Sequence, residues 1–514
     1  MVLTARGNST GSAHGTSMWR ALLSIAGVLA LAACGTRVSH QAVVAGAGAG
    51  TVSLDPSSIA ALHSAVAADP ARATTAVPSP QPPGTAAASQ PSQTVSAPSD
   101  RSPAARTPDR RPGAVVAPGK AAQAWQAVVP AGSAEAPTNT RCTRSSEPVA
   151  IGQVGTFSGL AGTVTAPIRA ALAVWAKDVN ARGGLACHPV AVWSDDDGGD
   201  PARAAAEVQE LVAEHHVVAL VGNLVAASIN GFAPAVAAAK IPAIGGGSYT
   251  MQDFDNRWFF PDGASVQDQV MGVLRDGVDQ GHRRLGALYC VEATVCTQAD
   301  EYFKNGAAPA GAAMVYNAPV SITQPDYTAQ CLNARDAKVD LLGVALDGAS
   351  IGRVARSCTA IGYRPVFAAS AAVFGPDQAN DPTIRSFGVV TITTEAPWFL
   401  DDQPGLRAFH EAMDRWAPTS NLTNASLIGW TSAELFRAAV EKVADQAGTG
   451  PITPELVLTG LGRIHDDTLG GLTGPLTFTP DETHATSNGC VFYELLTTAG
   501  WAAPRGSRPV CTGH

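Results

Sequence analysis

The sequence predicts an α/β protein made of two doubly wound parallel-sheet lobes joined by a three-strand hinge. Three observations carry this expectation. Short apolar runs alternate with segments whose apolar residues recur at helical spacing, from Val149 onward. The runs end in Gly/Ser-rich loops, and the pattern restarts after residue 265 at similar length. The chain has 514 residues, which at ~100–200 residues per domain leaves room for two lobes and a further segment.

The first strand, Val149–Val154, runs into the loop Thr156-Phe157-Ser158-Gly159. A helix follows, because Ile168, Ala171, Leu172, Trp175, Ala176 and Val179 share one face, and Gly183-Gly184 stops it. The strand Val190–Trp193 leads into an acidic turn, Asp195 to Asp200. There Asp200 before Pro201 reads as the N-cap of a helix over Ala202–Glu214. The acidic run lacks the spaced ligands and terminal Glu of a Ca²⁺ loop. Strand Val217–Gly222, helix Ser228–Ala239 and strand Ile241–Ile244, followed by Gly245-Gly246-Gly247-Ser248, complete the first series.

In the second series, helix Val266–Asp279 and strand Arg284–Tyr289 come first, then helix Ala299–Ala308 and strand Ala313–Asn317. Helix Tyr327–Ala337, strand Asp340–Leu346, helix Ile351–Ile361 and strands Pro365–Ala369 and Val389–Thr394 follow. Asn424–Val443 reads as a long helix, and Leu472–Thr479 with Cys490–Leu496 as a late β pair. The expected hinge segments are Pro261–Gln267, Thr391–Pro397 and Leu461–Leu472. The expected lobes are 141–265 plus 396–468, and 266–395 plus 469–514.

Upstream of the lobes the chain changes character. Arg20, the apolar stretch Ala21–Ala33 and Cys34 compose a secretory signal over residues 1–33, too short to span a membrane. Leu31-Ala32-Ala33-Cys34-Gly35 resembles the bacterial lipobox, which implies lipidation of Cys34 and an anchor on the cell membrane; Met18 is the more usual start. In 71–140, 48 of 70 residues are Ala, Pro, Ser, Thr or Gly, 12 of them Pro. Such a stretch buries too little apolar surface to offset its ordering entropy, so 34–140 reads as a disordered tether.

The composition also excludes functions. Thirty-four Lys and Arg against 43 Asp and Glu give a net charge of −9, with no basic run to neutralise phosphates, so nucleic acid is not an expected partner. There is no HExxH and no P-loop, and the lobes hold no Gly-x-Ser-x-Gly, since Gly246-Gly247-Ser248-Tyr249-Thr250 breaks at its last position. A serine hydrolase using Ser248 with His465 or His484 is the rival enzyme reading; the main reading is that the protein is not an enzyme. Apart from Cys34, eight cysteines remain, without metal-ligand spacing. Local geometry favours Cys142–Cys187, Cys290–Cys296, Cys331–Cys358 and Cys490–Cys511, the first because the strands after Cys142 and Cys187 would be parallel neighbours. No metal or cofactor is expected.

Several motifs in order resemble one family. They are Ile151-Gly152-Gln153-Val154-Gly155-Thr156-Phe157-Ser158-Gly159, Asp178-Val179-Asn180-Ala181-Arg182-Gly183-Gly184, Asp196 with Asp200-Pro201, Val221-Gly222 with Ser228, Ile241–Ile244, and Gly471–Phe478. Together they resemble the type I periplasmic solute-binding proteins, the leucine/isoleucine/valine-binding family of ABC importers, over roughly Glu147 to Ala503. That resemblance implies capture of a small polar, amino-acid-like solute by a monomer through lobe closure, and delivery to an ABC permease and its ATPase. A ligand-sensing lipoprotein without a transporter is the alternative within the same fold.

The candidate ligand contacts lie on the loops at the strand ends. Ser158, Ala226 and Ser228 come from the first and third loops, the two serines doubling as helix-start caps. Gly246, Gly247, Ser248 and Tyr249 come from the fourth, whose glycines either present amides to an anion or turn the chain. Glu292 and Ser370 are the second-lobe candidates. Trp430 is placed in the cleft, so that Trp430→Ala is expected to weaken binding without unfolding.

Overall fold

The computed structural model describes residues 146–511 apart from 160, 161, 248, 481, 483, 484 and 486. Cys34, the signal segment, the tether, Cys142, Ser248 and His484 lie outside the described residues.

The first lobe is a five-stranded parallel sheet. Its strands are β1 (Val149–Gly155), β2 (Val190–Asp196), β3 (Leu220–Val221), β4 (Ala243–Ile244) and β5 (Phe259–Phe260), in the order β2-β1-β3-β4-β5. Helices α1 (Gly162–Ala181), α2 (Pro201–Ala213) and α3 (Ile229–Ala239) connect successive strands. β1 pairs with β2 from Val149↔Val190 to Gly155↔Asp196, so both strands begin at one edge and end at the other. Ser146 N–H donates to Cys187 O at 3.0 Å beside that starting edge.

The second lobe repeats the plan. Its strands are β6 (Arg284–Cys290), β7 (Ala313–Val320), β8 (Leu341–Ala345), β9 (Val366–Ser370) and β10 (Val389–Thr393), in the order β7-β6-β8-β9-β10, all parallel. Helix α4 (Val266–Asp279) precedes β6, and α5 (Thr294–Ala307), α6 (Thr328–Asp336) and α7 (Gly348–Ala360) connect the strands from β6 to β9. The lobe is then extended by β11 (Cys490–Thr497), antiparallel to β10, with β12 (Gly500–Ala502) and β13 (Val510–Cys511) antiparallel to β11. In both lobes the order reverses between the first and third strands, the switch point at whose carboxyl ends such sheets hold ligands.

Between β10 and β11 the chain returns to the first lobe as α8 (Pro404–Trp416), α9 (Asn424–Glu441) and α10 (Pro454–Leu461). α9 and α8 pack on α1. The α1 face forecast from its spacing is the buried one: Ile168, Leu172, Trp175 and Val179 are all in the core. Trp175 meets Phe436 of α9 edge-on with centroids 6.4 Å apart, and its indole N–H donates to Glu434 Oε1 at 2.8 Å. Burying such side chains contributes roughly 1.5–3 kcal/mol each. The other face of the first sheet packs on α2 and α3 through Val154, Leu220, Val208 and Phe232.

The chain crosses between lobes three times, and the crossings touch. Thr473 Oγ1 donates to Asp262 O at 2.7 Å, Glu395 and Thr473 form an antiparallel bridge, and Ala396 N–H donates to Leu472 O at 2.8 Å.

Two expectations need correction. Leu472–Thr479 is not a strand and does not pair with Cys490–Leu496: its backbone bonds go to Glu395, Ala396 and Asp467, and Cys490–Thr497 pairs with β10 instead. The second sheet is not wholly parallel, because that same strand runs against β10. The bridges Cys290–Cys296, Cys331–Cys358 and Cys490–Cys511 are formed as expected.

Candidate functional site

The strand ends of the two lobes meet around the loop after β4. Gly245, Gly246 and Gly247 all have positive φ (65°, 112° and 95°), a conformation that costs glycine little. Space enforces glycine as well. A Cβ on Gly246 would lie 1.9 Å from Asn223 O, and one on Gly247 would lie 2.3 Å from Tyr249 Cε2. The loop thus rests on the backbone after β3, and the Tyr249 ring rests on the loop.

From there Tyr249 reaches the second lobe, where its side chain meets Ser370 at the end of β9. Burial first, then the charges of Glu395, Asp262 and Asp253, push the phenol well above its ordinary value, so it stays protonated. The ring also joins an apolar cluster of Phe157, Ile168, Ala425 and Ile428, against which Ala372 of the second lobe packs.

The amides of this loop face an anion, and the anion belongs to the protein. Gly246 N–H donates to Ser432 Oγ at 3.1 Å, Ser432 Oγ donates to Asp262 Oδ2 at 2.7 Å, and the Gly246 and Gly247 amides face that carboxylate. Asp262 is 0% exposed, and its Oδ1 has no hydrogen bond of regular geometry. Burial raises its pKa. Beside it Glu395 accepts from Thr394 Oγ1 at 2.7 Å and Thr393 Oγ1 at 2.8 Å. Its pKa is pushed up to about 7 by burial and by the Asp262 charge.

Asn223 holds the β1–β3 switch point. Its Oδ1 accepts from Val154 N–H at 3.1 Å, while its buried Nδ2 has no acceptor among the described residues. Asn223, Ala226, Gly246, Tyr249 and Asp253 line a cavity of about 10 Å³, which is water-sized. Asp253 is half-buried and accepts from Thr250 N–H at 2.7 Å; its pKa is raised to about 6, chiefly by desolvation.

The structure brings together Ala226, Gly246, Gly247, Tyr249 and Ser370 from the sequence-derived set. Ser158 lies exposed at the loop after β1, beside Asp196 of its own lobe. Ser228 is fully buried and donates to Asp197 Oδ2 at 2.5 Å, so its hydroxyl stitches two loops of its own lobe. Glu292 is exposed and caps its own lobe, accepting from Ser321 Oγ at 2.6 Å and Ile322 N–H at 3.1 Å. Trp430 needs correcting. It is 0% exposed in the helical layer, edge-on to Phe409 at 5.8 Å, and does not reach the strand ends. Asp200 does cap α2, accepting from Ala202 N–H at 2.8 Å and Arg203 N–H at 3.1 Å. Among the described residues no cluster of His, Cys, Asp and Glu is arranged to hold a metal ion. Asn223, Asp262 and Glu395 were missed; the signal that finds them is their position within two residues of a strand's carboxyl end.

The sequence model of the family described as "Periplasmic binding protein" matches residues 148–500. The chain belongs to that family. Periplasmic binding proteins act outside the cytoplasm, and no helix among the described residues is long and apolar enough to cross a membrane. No curated protein matches the chain. Among solved structures it is similar to a fatty acid ABC transporter substrate-binding protein from Thermomonospora curvata, with 19% identity over 70% of this chain and 91% of that one (TM-score 0.60). A solute-binding protein of an ABC transporter from R. palustris, in complex with benzoate, shares 13% identity over 71% and 98% (TM-score 0.58). A leucine binding protein from Thermotoga maritima shares 13% over 71% and 99% (TM-score 0.58). These similarities establish the type I periplasmic-binding-protein fold.

Proposed function

We propose that this protein is the extracytoplasmic solute-binding lipoprotein of an ABC importer, held to the cell membrane through lipidated Cys34 and a tether over 34–140. Its lobes, 141–265 plus 396–468 and 266–395 plus 469–514, capture a small polar, amino-acid-like solute by closing over it and present it, as a monomer, to a permease with its ATPase. The observation that carries this reading is the meeting of Tyr249 with Ser370 and Ala372, which brings the strand ends of the two lobes together. A ligand engaging Tyr249 and Ser370 bridges the lobes, and only contacts present in the closed form bias the closure equilibrium.

The family and the ABC-transporter proteins of similar fold support the transport role. The titles of those proteins name a fatty acid, benzoate and leucine, so the fold does not restrict the solute. A polar solute is favoured here by the groups around the seat: Tyr249, Ser370 and Asn223 Nδ2.

Thermal-shift screening of the full chain against amino acids, amides, small peptides and aromatic acids tests the reading. A solute at 100 times its Kd should stabilise by about 2.7 kcal/mol, visible as a rise in Tm. No rise with any class would contradict solute capture.

A further inference from the structure

Three carboxylates sit where the lobes are hinged. Asp262 is on the first crossing, Glu395 on the second, and Glu494 is on β11, the strand into which the third crossing leads. All are buried: Asp262 0%, Glu395 1% and Glu494 0% exposed. Neither oxygen of Glu494 has a hydrogen-bond partner among the described residues, nor does Asp262 Oδ1. The titratable groups around them are Asp253 and Tyr249, so every one is an acid. Among the described residues no Lys, Arg or His is ion-paired with any of the three; the basic side chains of the fold pair elsewhere, as Arg437 does with Glu434 and Arg505 with Asp276. Buried charge without a partner is expensive, and a carboxyl in that position retains its proton instead.

We infer that the hinge is a proton-operated switch: Asp262, Glu395 and Glu494 hold protons while the lobes are closed and release them as the lobes open and water enters. The inference rests on the lobe-closure reading above. The hydroxyls of Thr393, Thr394 and Ser432 supply only part of what ionised carboxylates need, and Glu494 has nothing. Burial raises all three groups, Glu395 to about 7 and Glu494 to about 8; the charge of Asp262 adds to the rise of Glu395, and the charge of Glu395 adds to that of Glu494.

The sign follows from linkage. The closed form binds more protons than the open form between the ordinary carboxyl range and about pH 8, so closure is favoured at low pH and lost as pH rises. Each pKa unit by which one group is raised in the closed form is worth a tenfold change in the closed-to-open ratio. In this scheme a solute captured in a mildly acidic exterior is held more tightly than at alkaline pH.

The test is fluorescence energy transfer in the full, solute-free chain, between dyes attached through unnatural amino acids at Asn230 in the first lobe and Asp377 in the second. The expected result is a longer inter-dye distance as pH is raised from 5.5 to 9, and a smaller lengthening in Glu494→Gln and in Asp262→Asn, each of which removes one of the three ionisable groups. Using two variants keeps the test alive if one fails to fold. A wild-type distance independent of pH, or a lengthening in both variants as large as in the wild type, would overturn the switch. Since no solute is present, that result leaves solute capture standing. Absence of any thermal shift with the solute panel would instead remove the reading on which the switch rests.

Discussion

Asn424 Nδ2 donates to Thr393 Oγ1 at 2.6 Å, and Thr393 Oγ1 donates to Glu395 Oε2 at 2.8 Å. The first residue of the long helix α9 in one lobe is thereby tied to the last residue of β10 in the other, and the tie ends on a hinge carboxylate. All three residues are buried, so the relay is worth more for what its loss exposes than for the bonds themselves. Thr393→Val keeps the shape and removes the hydroxyl. It leaves Asn424 without its acceptor and Glu395 without one donor, and should cost about 1–3 kcal/mol, read as a lower urea midpoint at unchanged slope.

A second prediction concerns pH and global stability. Glu395 and Glu494 are raised in the folded protein above their ordinary value of 4.5. Between that value and about pH 8 the folded state therefore binds more protons than the unfolded state, and stability falls as pH rises. Urea midpoints for the wild type should decline from pH 5 to pH 8.5. Glu494→Gln should flatten the decline and exceed the wild type at pH 8.5; a parallel decline in the variant would show that Glu494 is not responsible.

Tyr249→Phe retains the ring on Gly247 and removes the hydroxyl that meets Ser370. A net hydrogen bond is worth about 1 kcal/mol, so solute affinity should fall roughly fivefold with little change in Tm. Calorimetric titration with a solute found by thermal shift measures both quantities.

Trp430 gives the opposite outcome from the one its sequence position suggests. It is fully buried against Phe409 and within the core shared by α1, α8 and α9. Trp430→Ala should cost about 3–5 kcal/mol of stability, seen by differential scanning calorimetry. A variant with normal Tm and weakened binding would return Trp430 to the cleft.

Much of the architecture was legible because it is written locally. Helix Val266–Asp279 has the bounds its spacing predicted, and Val149–Val154 and Val190–Trp193 are parallel neighbours, the condition on which the Cys142–Cys187 pairing rests. β5 was missed because Phe259-Phe260 is two residues long, too short for any period. Leu472–Thr479 looked like a strand from its apolar residues, but Gly474 and Pro475 interrupt it and its partners are hinge segments. The site was legible only where a loop announces itself: Gly245–Gly247 and Tyr249 stood out by composition. The acids at the hinge did not, since Asp262, Glu395 and Glu494 are far apart in sequence and become a group only when three crossings come together. Trp430 was misplaced for a related reason, because a helix position does not reveal which of two packed faces it serves.

Hydrogen exchange on the full chain, with and without the solute that gives the largest thermal shift, tests lobe closure most directly. Solute should slow exchange at the amides of Gly246, Gly247 and Tyr249 in one lobe and at those of Ala371 and Ala372 in the other. Protection confined to a single lobe, or located away from both sets of strand ends, would contradict a solute held between them.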